Sequence, residues 1–491
     1  MENQILKRTF GMREAVTITV GNVVGVGLFT VGANVVGIMG STVILATFVA
    51  MLVSIYPAML YAEMGAALPY AGGTYKYASL GLGKPLGMLA GWSYVISLVA
   101  VTSGESLAFS FYFKTMFRAF GIEIPISDLV IACVVVIAFM VTNILGVQMT
   151  GRLQNGFMFF FWGVAIIWFI MMIPNVHLPY FAKLPEGLSF APGNFITYVA
   201  LIWWCFAGFE TCCAMGEEIK YPHINIPRAL FLSPLIIFAV NAIFQWFLIG
   251  IVPTGHLGVI AEAAAPYADG MAAAGILGFP LCMLAAGIAF GGDFSTLNST
   301  IAVPPRYLFT MARDGVMPRI FAKLHPKFKT PFIAIILLGL LSIILNLTNI
   351  IYIASLSLFV GLFYYIIGIL SSLGLRFRQP NLRRTYKAPG IMIGAPVSVI
   401  IYIIMMTQLD KVAFVTGIIW NVLGLVIYFV CQAIHKKAGD EDISALVLNI
   451  EEPSGDEKAR MDKEYKVWRG VVVTAVIIAI VLHLVVPNIV K

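Results

Sequence analysis

The residues best suited to bind a small molecule lie where a long apolar run is interrupted. Residues 203–210 are Trp-Trp-Cys-Phe-Ala-Gly-Phe-Glu, so a small pair, Ala207-Gly208, and an acid, Glu210, fall within an aromatic stretch. If this run crosses a membrane, a break leaves backbone N–H and C=O groups unpaired, and lipid tolerates that only where the break lines a protein cavity. The segment therefore predicts part of a binding site.

A second interruption is predicted near the N-terminus. Gly21, Gly25 and Gly27 fall within seven residues of one apolar run, and glycine weakens a helix because it adds backbone freedom and removes side-chain packing. A glycine face that packs against another helix is the alternative explanation.

Two broken helices would offer complementary backbone groups to a ligand. Amides that start the second half of a helix carry positive partial charge and suit a carboxylate, whereas carbonyls that end the first half suit an ammonium group. The predicted substrate-binding residues at the two breaks are Val23, Val24, Gly25, Val26, Gly27, Trp204, Phe206, Ala207, Gly208 and Phe209. We expect the amides from residues 25–27 and the carbonyls from residues 23, 24, 206 and 207.

Three carboxylates, Glu105, Glu210 and Asp293, lie inside apolar runs with no Lys or Arg at similar depth. Such a group must hold a proton or meet a cation. We expect Asp293 to contact a substrate ammonium group or a coupling cation, Glu210 to take part in proton coupling or gating, and Glu105 to have a gating or structural role. A protonated Glu210 bonded to a neighbouring helix is the alternative. Hydroxyl groups next to Asp293, those of Ser295, Thr296 and Ser299, predict a possible Na⁺ site. The amide side chain of Asn298 predicts a role in gating.

Composition indicates the class of protein that must position these groups. The 491 residues are 60% hydrophobic and 11% charged, and the mean hydropathy is +0.93. Many apolar runs reach the length of about 20 residues that spans a bilayer as a helix. The chain is therefore predicted to be an all-α polytopic membrane protein without a cleavable signal peptide. The six cysteines lack metal-ligand spacing and no nucleophiles cluster, so we expect neither a metal site nor an enzyme.

Thirteen membrane spans are predicted. Their limits are 14–38, 42–66, 86–113, 127–146, 153–173, 194–216, 229–252, 274–310, 331–346, 350–375, 391–408, 412–434 and 467–488. With the N-terminus inside, 26 of the 31 Lys and Arg residues fall on the cytoplasmic side, as the positive-inside rule requires. This sorting accounts for the net charge of +7 without nucleic acid as a partner. The C-terminus is then predicted to lie outside.

The two interrupted spans are the first and the sixth, so they are five apart. Interrupted spans at corresponding positions of two halves are typical of transporters built on inverted repeats. The predicted organisation is a twelve-helix core over 1–435, a charged linker over 436–466 and an additional helix over 467–491. Within the core the repeats cover about 13–175 and 194–376, followed by helices 11 and 12.

Five separated motifs make the chain similar to the amino acid–polyamine–organocation transporter superfamily. They are GVGLF at Gly25–Phe29, the stretch Tyr61–Trp92, FAGFE followed by Glu217–Ala229, Asn298–Pro318, and Leu375–Gly390. The resemblance covers all but the last three spans, and a thirteenth span departs from the usual twelve. It implies the leucine-transporter-type 5+5 inverted repeat, a substrate held between helices 1, 3, 6, 8 and 10, and alternating access.

Several positions bear on the substrate and on the coupling ion. Val26 stands where the family usually has Ser, so one hydroxyl donor for a carboxylate is missing. Trp204 matches a Trp that covers a cationic side chain in arginine–agmatine exchangers of the superfamily, a contact worth about 1–2 kcal/mol when desolvated; interfacial packing is the alternative. Some sodium-independent members carry a Lys in helix 5, but the matching stretch Gly151–Trp162 has none, and we expect an aromatic residue there.

The leading expectation is a secondary transporter of amino acids in the plasma membrane, working by symport or exchange. An organic amine or polyamine transporter is the alternative, and a channel or a sensor without flux is a weaker one. The expected partners are a small-molecule substrate and the lipid bilayer. No cofactor is expected beyond H⁺ or Na⁺ as a coupling ion, and the oligomeric state stays open.

Overall fold

A computed structural model describes residues 8–181, 192–435 and 452–489, and these are almost wholly helical. In chain order the α-helices are α1 Met12–Gly21, α2 Ala33–Met39, α3 Val43–Ala67, α4 Thr74–Gly81, α5 Lys84–Arg118, α6 Asp128–Ile144, α7 Val147–Met172, α8 Pro192–Trp203, α9 Thr211–Ala214, α10 Pro222–Ile251, α11 Leu257–Ala261, α12 Pro266–Ala273, α13 Phe279–Gly287, α14 Phe294–Arg313, α15 Phe332–Leu345, α16 Ile350–Arg378, α17 Ile391–Met406, α18 Lys411–His435 and α19 Gly455–Ile489. Two isolated bridges, Phe10 with Ile219 and Ala71 with Met215, are the extended pairings in the described part of the chain.

Eight helical stretches in the described residues are long and apolar enough to cross a membrane, and four shorter ones are also apolar. The first long stretch, Gly27–Ala67, includes the end of the predicted first span and all of the second. The most apolar windows of α5 and α10 are each 89% buried, whereas those of α18 and α19 are 28% and 17% buried. α5 and α10 therefore lie in the core of the bundle, whereas α18 and α19 lie at its lipid-facing edge. The count of thirteen spans stays a prediction.

The last helix differs from the prediction. We expected a linker to reach residue 466, but α19 begins at Gly455 and continues as one helix through the apolar segment. Residues 436–451 of the predicted linker lie outside the described residues. Along the apolar segment α19 packs on α10, where His483 Nε2 donates a hydrogen bond to the Ala242 carbonyl at 2.9 Å.

One end of the bundle carries most of the Lys and Arg residues, and we call it the basic side. Two ion pairs there join α14 to the segment between α9 and α10. Arg306 Nε lies 2.8 Å from Glu218 Oε1, with side chains only 5% and 0% exposed, and Arg313 lies 3.1 Å from Glu217. Burial raises the pKa of Glu218, and the Arg306 charge opposes that rise.

Two more ion-pair sites lie on the basic side. Lys76 of α4 bonds to Asp314 just after α14; burial lowers the pKa of Lys76, and Asp314 opposes this. Glu63 of α3 accepts two hydrogen bonds from Arg376, at 2.8 and 2.6 Å, and lies 3.0 Å from Arg384. All these residues belong to the motifs that carry the family resemblance, so the motifs encode a group of ion pairs at one end of the bundle.

We predict that Glu218→Gln destabilises the protein by about 3–5 kcal/mol, because it leaves the buried Arg306 charge unpaired. Removing both charges in Glu218→Leu/Arg306→Met should restore much of that loss. Thermal unfolding of the purified protein, followed by intrinsic fluorescence, measures both effects. Arg383→Gln removes one partner of an exposed pair and serves as the control, with an expected change below about 1 kcal/mol. Equal losses for the single and double variants would contradict this account.

Candidate binding site

The first helix break lies between α1 and the next helical turn. Residues 22–25 form turns, and a π-helical turn over Gly27–Gly32 follows. The Val26 N–H, at the start of the second half, donates to Glu105 Oε1 of α5 at 2.8 Å. The Glu105 carboxylate therefore accepts from one of the backbone amides that the sequence predicts for a substrate carboxylate.

Glycine is required where this break approaches α5 and α14. A Cβ built on Gly25 would lie 2.5 Å from Thr296 Oγ1 and just as close to the Glu105 carboxyl group. Contacts this short force a shift of the neighbouring side chains or of the backbone. The absence of a side chain at Gly25 therefore lets the backbone of the first break approach the Glu105 carboxyl group.

The second break separates α8 from α9 and is held by α16. Ala207 is extended and Gly208 has φ +105°, a conformation that favours glycine. The Gly208 N–H donates to the Tyr365 hydroxyl at 2.6 Å, and that hydroxyl donates to Glu210. Tyr364 donates to the other Glu210 oxygen at 3.2 Å. Glu210 is thus a fully bonded acceptor that fastens the break to α16.

A small cavity of about 30 Å³ lies between the two breaks. Its walls come from both breaks, from α5 and from α16, and they are formed by Asn22, Val23, Val26, Gly27, Tyr94, Ser97, Leu98, Val101, Glu105, Trp204, Ala207, Gly208, Ser357, Gly361 and Tyr365. A volume of this size holds about two water molecules. The cavity must widen before it can hold a larger ligand.

The structure brings together half of the predicted site residues. The cavity wall includes Val23, Val26, Gly27, Glu105, Trp204, Ala207 and Gly208, whereas Val24, Gly25, Phe206, Phe209, Glu210, Asp293 and Asn298 lie off it. Phe209 instead stacks on Tyr365, with ring centroids 5.2 Å apart. Glu105, for which we expected a gating or structural role, faces the cavity directly.

Sequence reasoning missed the cavity residues of two uninterrupted helices. Those on α5 are Tyr94, Ser97, Leu98 and Val101, and those on α16 are Ser357, Gly361 and Tyr365. The α5 set recurs at spacings of three and four residues and the α16 set at spacings of four, so each forms one helix face. That periodicity was the available signal, but it does not distinguish a cavity-facing stripe from a packed one in a helix that is apolar on all sides.

Glu105 and Asp293 form a buried carboxyl pair beside the cavity. Their side chains are 1% and 0% exposed, and the two carboxyl groups are close enough to interact electrostatically. Apart from this contact, neither Asp293 oxygen nor Glu105 Oε2 has a partner in the described part of the chain. Two neighbouring buried carboxyl groups are costly to ionise together, so the pair is a candidate site for a bound proton.

Hydroxyl groups of α14 form hydrogen bonds to the end of α1. Ser295 Oγ and Thr296 Oγ1 donate to the Gly21 carbonyl at 3.1 and 2.8 Å, and Ser299 Oγ donates to Asn22 Oδ1 at 3.1 Å. The oxygens predicted for a possible Na⁺ site are therefore bonded directly to helix 1.

The same junction between α14 and α1 contains the polar side chain of Gln154, from α7. Gln154 Nε2 donates to the Thr17 carbonyl at 3.1 Å, and its Oε1 accepts from Asn298 Nδ2 at 2.8 Å. The aromatic residue expected at the position of the family's Lys stays a prediction. A neutral amide thus connects α1, α7 and α14.

Comparisons with known proteins agree with the geometry. The model of the family described as amino acid permease matches residues 10–431. The chain is 25% identical over 467 residues to the branched-chain amino acid permease BcaP of Bacillus subtilis, covering 88% of this chain and 94% of the relative. It is 25% identical over 461 residues to the methylthioribose transporter of the same species, covering 89% and 95%. It is 26% identical over 398 residues to the serine/threonine exchanger SteT of that species, covering 79% and 88%.

We predict that Tyr365→Phe destabilises the second break by about 1–3 kcal/mol, because it removes a donor to Glu210 and an acceptor for the Gly208 N–H. Tyr352→Phe, on the same helix but away from both breaks, is the matched control. The melting temperature of each purified variant measures the effect. If the two variants lose equal stability, Tyr365 does not have the fastening role assigned to it here.

Proposed function

The chain belongs to the amino acid permease family, and from that membership we propose that it carries a neutral amino acid across the plasma membrane together with a proton. Membership makes it a multi-pass membrane transporter of a small molecule and not an enzyme. The observation that carries the finer proposal is the Glu105 carboxyl group, which faces the cavity and accepts from the Val26 N–H at the first helix break. We place the basic side in the cytoplasm, as the positive-inside rule predicts.

The cavity wall supports a neutral, apolar substrate side chain. Much of the wall is apolar, with Val23, Val26, Leu98, Val101 and Trp204 among its members. No Lys or Arg is present in that wall to pair with an acidic side chain. The relative named as a branched-chain amino acid permease is consistent with such a substrate.

Proton coupling follows from competition for the helix-1 amides. A substrate carboxylate that bonds to these amides must displace the Glu105 carboxylate, and a displaced carboxylate in a dry site has to take up a proton. Asp293 is the neighbour that can share that proton. Substrate and proton therefore enter the site together, and release of either one favours release of the other.

A bare organic amine is the second candidate. Trp204 lines the cavity with Glu105, and a Trp face with a carboxylate suits a cation. An amine has no carboxylate with which to displace Glu105 from the Val26 amide, so it would not draw a proton into the site. The two candidates therefore differ in coupling as well as in affinity.

We expect Glu105→Gln to abolish the response of uptake to a proton gradient, because the glutamine stays neutral at every pH. Asp293→Asn should act in the same direction. Glu123→Gln, in an exposed loop after α5, is the matched control and should keep the response. The measurement is uptake into proteoliposomes with an inward proton gradient, an inward sodium gradient or internal substrate alone. Full gradient dependence in Glu105→Gln, or a response to sodium alone, would refute coupling through this pair.

Competition for uptake distinguishes the two substrate classes. A branched-chain amino acid should compete with labelled substrate at least tenfold better than the amine left after removal of its carboxyl group, because one charge-assisted bond is worth about 1.5–3 kcal/mol. Equal competition would favour the amine transporter.

The side chain of Trp204 should contribute through its apolar area if the substrate is neutral. Trp204→Phe is then expected to retain most of the affinity, and Trp204→Ala is expected to weaken binding by about 2 kcal/mol or more. A cationic substrate would instead be weakened by both substitutions, because the indole face is the best cation site. Binding isotherms for the three proteins decide between these outcomes.

A further inference from the structure

The part of α19 that precedes the apolar segment is charged, and one of its faces rests on the basic side of the bundle. Three acids on that part contact other elements: Glu457 accepts from the Tyr221 hydroxyl at 2.7 Å, Asp462 pairs with Arg228, and Glu464 lies 3.9 Å from Arg13. The Arg228 guanidinium also sits 5.0 Å from the centroid of the Tyr465 ring. Asp462 and Glu464 are thus paired with cations of α10 and α1, whereas Glu457 contacts a neutral hydroxyl.

The opposite face carries basic side chains that point away from the protein. They are Lys458, Arg460, Lys463, Lys466 and Arg469, and all five are exposed. No acidic side chain in the described ranges forms an ion pair with any of them. In the described residues, the exposed surface of this segment therefore carries five cations without an ion-pair partner, together with the exposed acid Asp456.

The chemistry of the exposed side chains changes abruptly after Arg469. Val471, Ile477 and Leu484 are 61%, 54% and 63% exposed, and such side chains belong in the hydrocarbon of a bilayer. The membrane edge thus lies near residue 470. Headgroups occupy about 5–8 Å on each side of the hydrocarbon, and a helix rises 1.5 Å per residue. Lys466 and Arg469 are then within the headgroup layer, and Lys463 lies just beyond it.

We propose that the exposed face of α19 around Lys463, Lys466 and Arg469 is a docking surface for anionic phospholipids of the cytoplasmic leaflet. Phosphate groups pair with the two inner cations, and the acyl chains lie along the exposed apolar residues that follow. The net positive charge of this face and its depth at the membrane edge both match a negatively charged headgroup. Lipid bound here holds α19 at the membrane surface while its acidic face stays on α1 and α10.

Distance from the membrane edge provides an internal control. Lys458 and Arg460 belong to the same basic face but lie roughly 15–20 Å beyond the edge along the helix axis. This exceeds the Debye length of about 8 Å at physiological ionic strength. Removing these two charges should therefore affect lipid binding much less than removing Lys466 and Arg469.

The experiment compares the full chain in nanodiscs of phosphatidylcholine with and without phosphatidylglycerol. Hydrogen exchange measured by mass spectrometry reports protection of peptides that cover 455–475. In the wild type, phosphatidylglycerol should slow exchange in these peptides by roughly tenfold or more, from about 1 kcal/mol for each basic side chain near the surface. Lys466→Gln/Arg469→Gln should lose this protection, and Lys458→Gln/Arg460→Gln should keep most of it.

Three results would overturn the proposal. These are equal protection in both lipids, unchanged protection in Lys466→Gln/Arg469→Gln, and equal loss in the two double variants, which would indicate diffuse charge or a soluble acidic partner. Exchange is measured without substrate, so failure here leaves the transport proposal intact. Failure of the Glu105 experiment likewise leaves the lipid surface untouched.

Discussion

The structure depends on one constraint: backbone groups freed by two breaks inside an apolar bundle must be bonded by the protein itself. At the first break the Val26 N–H is bonded by Glu105 of α5, and at the second the Gly208 N–H is bonded by Tyr365 of α16. The helices that supply these partners are the helices that complete the cavity wall. The position of the cavity is therefore set by the elements that satisfy the breaks.

The acids near the breaks have different roles because their surroundings differ. Glu210 is surrounded by hydroxyl donors, so it acts as a structural acceptor that joins α9 to α16. Glu105 has one backbone donor and a second carboxyl group, Asp293, as its neighbour. A carboxyl group without enough donors changes its protonation when its one good donor is taken by another ligand. We therefore propose proton chemistry for the poorly satisfied pair rather than for Glu210, which was the more prominent residue in the sequence.

Residue patterns predicted features that depend on the local chain. The helical membrane class follows from hydropathy, and both breaks follow from small residues inside apolar runs, at Gly25 and Gly208. The Glu105–Asp293 pair could not be predicted, because it depends on how α5 faces the π-helical turn over Ile288–Asp293. Gln154 was missed for a similar reason, since a polar residue in this stretch gives no signal about which side of α7 meets α1. The start of α19 was misplaced because charged residues look like a linker when their ion-pair partners on α1 and α10 are unknown.

The contact between α19 and α10 has a mechanical consequence. Two prolines, Pro227 and Pro234, interrupt the hydrogen bonding of α10 in its first half, and proline inside a helix makes it easier to bend. The Asp462–Arg228 pair lies beside the first proline, and the His483–Ala242 bond lies beyond the second. The continuous helix α19 therefore contacts α10 on both sides of its prolines and stiffens it there. Bending of α10 at its prolines therefore strains the Asp462–Arg228 pair or the His483–Ala242 bond. The thirteenth predicted span thus opposes that bending.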